Sequence, residues 1–143
     1  MRIAVAVSGG VDSLCALLLL RRAGHEVLAL HAQLAEPAET GALALSGLER
    51  ACGALGVPLH VADLRADFAR EVVVPFAEAY AAGRTPNPCA RCNRHIKFGA
   101  LLDAALELGA EALATGHYAR LRPGTRRGAP GPLLATAAHA PKD

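Results

Sequence analysis

The chain has 143 residues, 52% of them apolar and only five aromatic, with a formal net charge of +2. That length fits one domain whose core is aliphatic, filled by Leu, Val and Ala. Its longest apolar run, Leu14 to Leu20, is far short of the roughly 20 residues needed to span a bilayer. No signal peptide precedes the first strand pattern, so a cytoplasmic, reducing setting without structural disulfides is expected. Charge is unevenly spread: residues 1–83 carry six Lys/Arg against nine Asp/Glu, and residues 84–143 carry nine against four. The basic second part points to an anionic partner, against the alternative of an ordinary basic surface.

In chain order, Arg2–Val7 reads as a buried strand broken by Ser8-Gly9-Gly10, and Val11 to Ala23 as a helix closed by Gly24. Glu26–His31 is a second strand, Glu36–Thr40 a loop, Leu43 to Leu55 a second helix and Val57–Ala62 a third strand. Ala66–Ala82 reads as a third helix, with Pro75 a kink or break. Gly83 to Pro88 is a rigid loop, and the Cys89-x-x-Cys92 pair belongs to the same polar, Pro-rich loop. Ile96 to Leu108 is a fourth helix and Glu111–Thr115 a fourth strand. Arg120 to Pro132, rich in Gly, Pro and Arg, reads as a mobile loop, followed by a short strand at Leu133–Thr136.

Strands alternating with helices predict an α/β fold: a doubly wound parallel sheet with helices on both faces. Ligands of such sheets bind beyond the C-terminal strand ends. This places Ser8–Ser13, Ala32 and Thr115–His117 on one rim.

Ser8-Gly9-Gly10-Val11-Asp12-Ser13 joins a strand to a helix. Its glycines permit a tight turn, and the helix start offers N–H groups and a positive dipole end to phosphate. Ser8 and Ser13 add hydroxyls. Asp12 fits either helix N-capping or coordination of a phosphate-bridging Mg²⁺. No G-K-[ST] follows, so this is not a Walker loop, and G-x-G-x-x-G is absent. The segment resembles the PP-loop of the ATP pyrophosphatase superfamily, whose domains are adenine nucleotide alpha hydrolase-like.

Two further segments sharpen the resemblance: G-R-T-P-N-P-C-A-R-C-N-R-H-I-K-F from Gly83 to Phe98, and A-T-G-H-Y-A-R from Ala114 to Arg120. With the PP-loop, they make the chain similar to the tRNA-specific 2-thiouridylase family over nearly its whole length. The resemblance implies ATP-dependent adenylation of the wobble uridine of tRNA, then sulfur transfer from a cysteine persulfide to give 2-thiouridine. It implies ATP contacts at Ala6, Val7, Ser8, Gly9, Gly10, Val11, Asp12, Ser13, Ala32 and Gly116. It makes Cys92 the catalytic cysteine, beside Asp12, with Arg91 and Arg94 nearby to favour thiolate. Asn87, Pro88 and Cys89 are implied near the target base, and His117, Lys142 and Asp143 in tRNA binding. Implied cofactors and partners are ATP with Mg²⁺, tRNA and a persulfide sulfur donor protein, with no membrane.

Cys89 departs from the Asp found in many family members. An iron–sulfur cluster on Cys89 and Cys92 would need ligands from outside this chain, because two cysteines complete neither a zinc nor a cubane site. Cys15 and Cys52 sit in apolar helical patterns and are expected to be shielded core thiols. The resemblance further implies that residues 1–143 form the adenylating domain, truncated before a central domain and a C-terminal β-barrel that carry a second catalytic cysteine. Two other readings compete: a PP-loop synthetase adenylating a small carboxylate, and a non-catalytic ATP-binding or redox module.

Overall fold

The computed structural model describes residues 1–36, 39–126 and 129–135. Four parallel strands, β1 (Arg2–Ala6), β2 (Glu26–Gln33), β3 (Leu59–Asp63) and β4 (Ala112–Thr115), lie in the order β3-β2-β1-β4. β1 pairs with β2 from Arg2↔Glu26 to Ala6↔Leu30, and with β4 from Ile3↔Ala112 to Ala6↔Thr115. The strand order reverses between β1 and β4, which is where a doubly wound sheet opens a ligand crevice.

Alternation along β1 sorts two apolar layers. Ile3, Val5 and Val7 face Leu17, Leu48, Cys52 and Val57, the side covered by helices α1 (Val11–Arg22) and α2 (Glu39–Leu55). Ala4 and the neighbouring Leu28 and Leu30 face Leu64, Val72, Ile96, Leu101 and Ala105. This second layer belongs to two longer helices. The first, α3, covers 65–81 as Arg65–Phe68, a π-helical stretch Ala69–Val73, and Val74–Ala81. The second, α4, covers 88–107 as Pro88–Arg91, a wide-turn stretch Cys92–Ala100, and Leu101–Glu107, and is kinked at Gly99, whose φ of −115 and ψ of −108 are not helical. The expected doubly wound α/β architecture is therefore present among the described residues.

Several local expectations are corrected. Glu39 and Thr40, read as loop, begin α2, while Pro37 and Ala38 lie outside the described residues. Pro75 does not break α3. The turn widens just before it, with Val74 N–H reaching back to Ala69 O, and the helix continues. A widened turn accommodates a proline ring that would clash in regular α geometry. The C-x-x-C segment is helical rather than loop, because Asn87 caps and Pro88 starts a helix eight residues before Ile96. Arg120 to Pro132 is not an unstructured loop: β5 (Arg120–Arg126) and β6 (Ala129–Ala135) form an antiparallel ribbon, register Leu121↔Leu134 and Pro123↔Pro132. Both are edge strands, which tolerate proline wherever the N–H position faces away from the partner. Thr136 lies outside the described residues.

Candidate functional site

The turn after β1 is built by its own polar atoms. Val7 N–H donates to Leu30 O at 2.9 Å, carrying the chain to the sheet rim. Gly9 then takes φ +86, a left-handed conformation suited to glycine. Gly10 is the extended N-cap of α1. Ser13 is the one buried polar residue among those described. Its hydroxyl donates to Gly10 O at 2.9 Å and accepts from Ser8 N–H at 3.3 Å, so it locks the turn. The opening N–H groups of α1 have no acceptor within the helix and sit at its positive end.

Gly116 closes the other wall. A Cβ there would lie 2.8 Å from Ser13 N and 2.9 Å from the Asp12 carbonyl carbon, so the chain leaving β4 rests directly on the first turn of α1. Between these walls is a cleft of about 340 Å³. Ala6, Val7, Ser8, Asp12, Ser13, Ala32 and Gly116, all expected to meet ATP, line it, and Gly9, Gly10 and Val11 complete the adjoining turn. Ala32 lies inside β2 rather than just past it. Leu30, Leu34, Ile96 and Leu101 supply an apolar side.

Asp12 is not the N-cap, which removes the capping explanation. It stands in the first turn, and its Oδ1 accepts a hydrogen bond from Tyr118 Oη at 2.8 Å. Among the described residues no three His, Cys, Asp or Glu side chains converge as a metal cage. One carboxylate fits a Mg²⁺ whose other ligands are phosphate oxygens and water, the ion's usual preference.

His117 is held at both ring nitrogens. Lys97 Nζ donates to Nε2 at 3.2 Å, and Nδ1–H donates to Thr115 Oγ1 at 2.8 Å. An ammonium offers no acceptor, so this geometry selects the neutral ring protonated on Nδ1. Partial burial and then the Lys97 charge hold its pKa below the usual imidazole value. Phe98 packs beside it with centroids 6.0 Å apart. His31 Nδ1–H donates to Val7 O at 2.9 Å.

The thiol pair sits on α4. Asn87 Oδ1 accepts from Ala90 N–H at 3.1 Å, and Cys89 is exposed on the first turn. Cys92 is half-buried against the layer containing Ile96, one turn before that cleft-lining residue. Arg91, expected beside the thiol as a cation, instead donates from Nε to Glu71 O at 2.7 Å. That carbonyl precedes Pro75 by one turn, and Pro75 has no N–H to offer it. Cys15, expected in the core, is exposed on α1; Cys52 is buried, which pushes its thiol pKa up. Lys142 and Asp143 lie outside the described residues. Thr115 stands on the rim as expected, whereas the sequence reading missed Lys97, His31 and Tyr118 as cleft or rim residues. Lys97 was within reach of it, as the single charge in the I-K-F run before an apolar helix.

The whole chain, residues 1–143, matches the protein family described as tRNA methyl transferase HUP domain. A tRNA-specific 2-thiouridylase MnmA of Oleidesulfovibrio alaskensis is 59% identical over 126 residues, covering 86% of this chain and 35% of the relative. The protein of that name from Beutenbergia cavernae is 48% identical, covering all of this chain and 39% of the relative. The chain thus spans little more than a third of these relatives' length. A solved structure, described as a predicted subunit of tRNA methyltransferase from Methanocaldococcus jannaschii, is 20% identical with a TM-score of 0.50, covering 82% of this chain and 53% of that one. It supports the fold alone. The chain belongs to the tRNA methyl transferase HUP domain family, and the relatives named here are tRNA-specific 2-thiouridylases.

Proposed function

We propose that this chain is the adenylating part of a tRNA-uridine 2-sulfurtransferase. The observation that carries the reading is the cleft at the strand-order reversal, with a glycine turn and helix start on one wall and a thiol-bearing helix on the other. ATP lies in the cleft, its phosphates toward the first turn of α1. The uridine O2 attacks the α-phosphorus, the bond to the β-phosphate bridge breaks, and pyrophosphate leaves. Magnesium, held through Asp12, would supply charge neutralisation on the phosphates. The outer sulfur of a cysteine persulfide then attacks carbon 2 and AMP departs; a second thiol attacks the inner sulfur, the S–S bond breaks, and the base keeps the outer sulfur while the two cysteines are left as a disulfide. Cys92 is one of those two cysteines, and a donor protein supplies the persulfide sulfur. Cys89 and the Asn87–Pro88 corner stand at the start of the same helix, on the side where the base would approach. The excess of Lys and Arg after Gly83 serves the tRNA backbone. The setting is cytoplasmic, and among the described residues no helix is long and apolar enough to cross a membrane.

The test uses ATP binding and pyrophosphate release, with and without unmodified tRNA. Gly10 has an ordinary extended φ of −78, so Gly10→Val should fold and lose ATP by filling the phosphate side of the cleft. Gly9→Val is the poorer probe, because its positive φ would strain the fold itself. In a full-length enzyme, Cys92→Ser should still release pyrophosphate on tRNA and make no 2-thiouridine. Stimulation by a small carboxylate instead of tRNA would replace this reading with that of a synthetase. ATP binding without turnover in a full-length enzyme would leave a non-catalytic module.

A further inference from the structure

We propose that Lys97 is a triphosphate ligand of the cleft and that His117 is the residue that positions it. This rests on the nucleotide reading above and deepens it. A triphosphate brings several negative charges, whereas a helix start contributes only about half a positive charge. Of the described cleft-lining side chains, Lys97 is the one Lys or Arg, and His117, which accepts from it, is neutral.

The ammonium is also prearranged. Lys97 is half-buried in the cleft wall, and its one hydrogen bond among the described residues, to His117 Nε2, uses one of its three donors. His117 cannot turn away, because Nδ1–H is tied to Thr115 Oγ1 at 2.8 Å and its backbone N–H reaches the same oxygen at 3.3 Å. Thr115 ends β4, one residue before the Gly116 contact with α1. The chain Thr115–His117–Lys97 therefore fixes a cation relative to the same helix start that receives phosphate. Holding a donor in place before the ligand arrives spares part of the ordering cost of binding. His117 acts here through Lys97 and is a positioning residue.

The experiment is calorimetric titration of the 143-residue chain with Mg·ATP and, separately, with adenosine. Lys97→Gln should weaken ATP about tenfold to a hundredfold, the usual loss for a charge-assisted hydrogen bond, and leave adenosine within about twofold. Lys97→Arg should recover most of the ATP affinity. His117→Ala should weaken ATP by a smaller factor and add nothing to Lys97→Gln in the double variant. Circular dichroism confirms folding, and Lys97→Met replaces the Gln variant should that one not fold. Unchanged ATP affinity in a folded Lys97→Gln, an equal loss for adenosine, or additive losses in the double variant overturns the proposal. If the unmutated chain binds no ATP at all, it is the nucleotide reading that fails.

Discussion

At the scale of single residues, Gly116 is decided by space rather than by backbone conformation. Its missing Cβ leaves room for Ser13 N and the Asp12 backbone, neither of which can move without unwinding the start of α1. Gly116→Ala should cost about 1–3 kcal/mol, the range for overpacking, and weaken ATP as well. A urea titration and a binding isotherm on one sample would show it, and wild-type values in both would refute the close approach. The four cysteines give a second check. Cys15 and Cys89 should alkylate readily in the native state, and Cys52 only on unfolding, because it is 1% exposed and its thiol pKa is raised by burial. Peptide mapping that finds native Cys52 labelled as fast as Cys15 would contradict the packing. Cys15 shows why sequence misled here. It sits among leucines, yet α1 is apolar nearly all round, so the sequence does not say which face meets the sheet.

At the scale of elements, the sequence made the strands and the glycine turn legible because period and punctuation agree there. The C-x-x-C region was not legible as helix. Its prolines and polar residues are loop signals, and what converts it is a cap, Asn87, followed by a proline at the first helical position, where a missing N–H is harmless. The tie from Arg91 to Glu71 O, absent from any local pattern, docks this helix onto α3. Asn87 thereby has a structural task beside the proposed one near the base, and two substitutions separate them. Asn87→Ala should lose about 1 kcal/mol of stability, whereas Asn87→Ser keeps a capping oxygen and should lose little. If Asn87→Ser also keeps full thiolation in a full-length enzyme, the amide has no part in base recognition. Equal stability of the two variants would show that the cap is dispensable. The β5–β6 ribbon escaped notice for a related reason: Gly and Pro mark loops on average, but a two-stranded ribbon made only of edges tolerates both.

At the scale of the whole molecule, the cleft lies where the strand order reverses, and its walls come from opposite ends of the described chain. The pairing Ile3↔Ala112 sets β1 beside β4, and Arg2 and Glu111 bond reciprocally, Glu111 N–H to Arg2 O at 2.8 Å and Arg2 N–H to Glu111 Oε1 at 2.7 Å. Contacts between segments this far apart in sequence are slow to form, since loop closure must precede them. During synthesis the wall that faces the glycine turn emerges about a hundred residues after the turn itself. On the proposed reading, nucleotide affinity is a property the growing chain would acquire late, in a single step, when β4 takes its place. A chain ended after Ala110 should hold no ATP although every residue of the turn is present, and equilibrium dialysis would expose any residual binding. In the finished chain, ATP at a hundred times its dissociation constant should add about 2.7 kcal/mol against unfolding. The ligand would then act as a clasp between the first strand made and the last strand of the sheet to arrive.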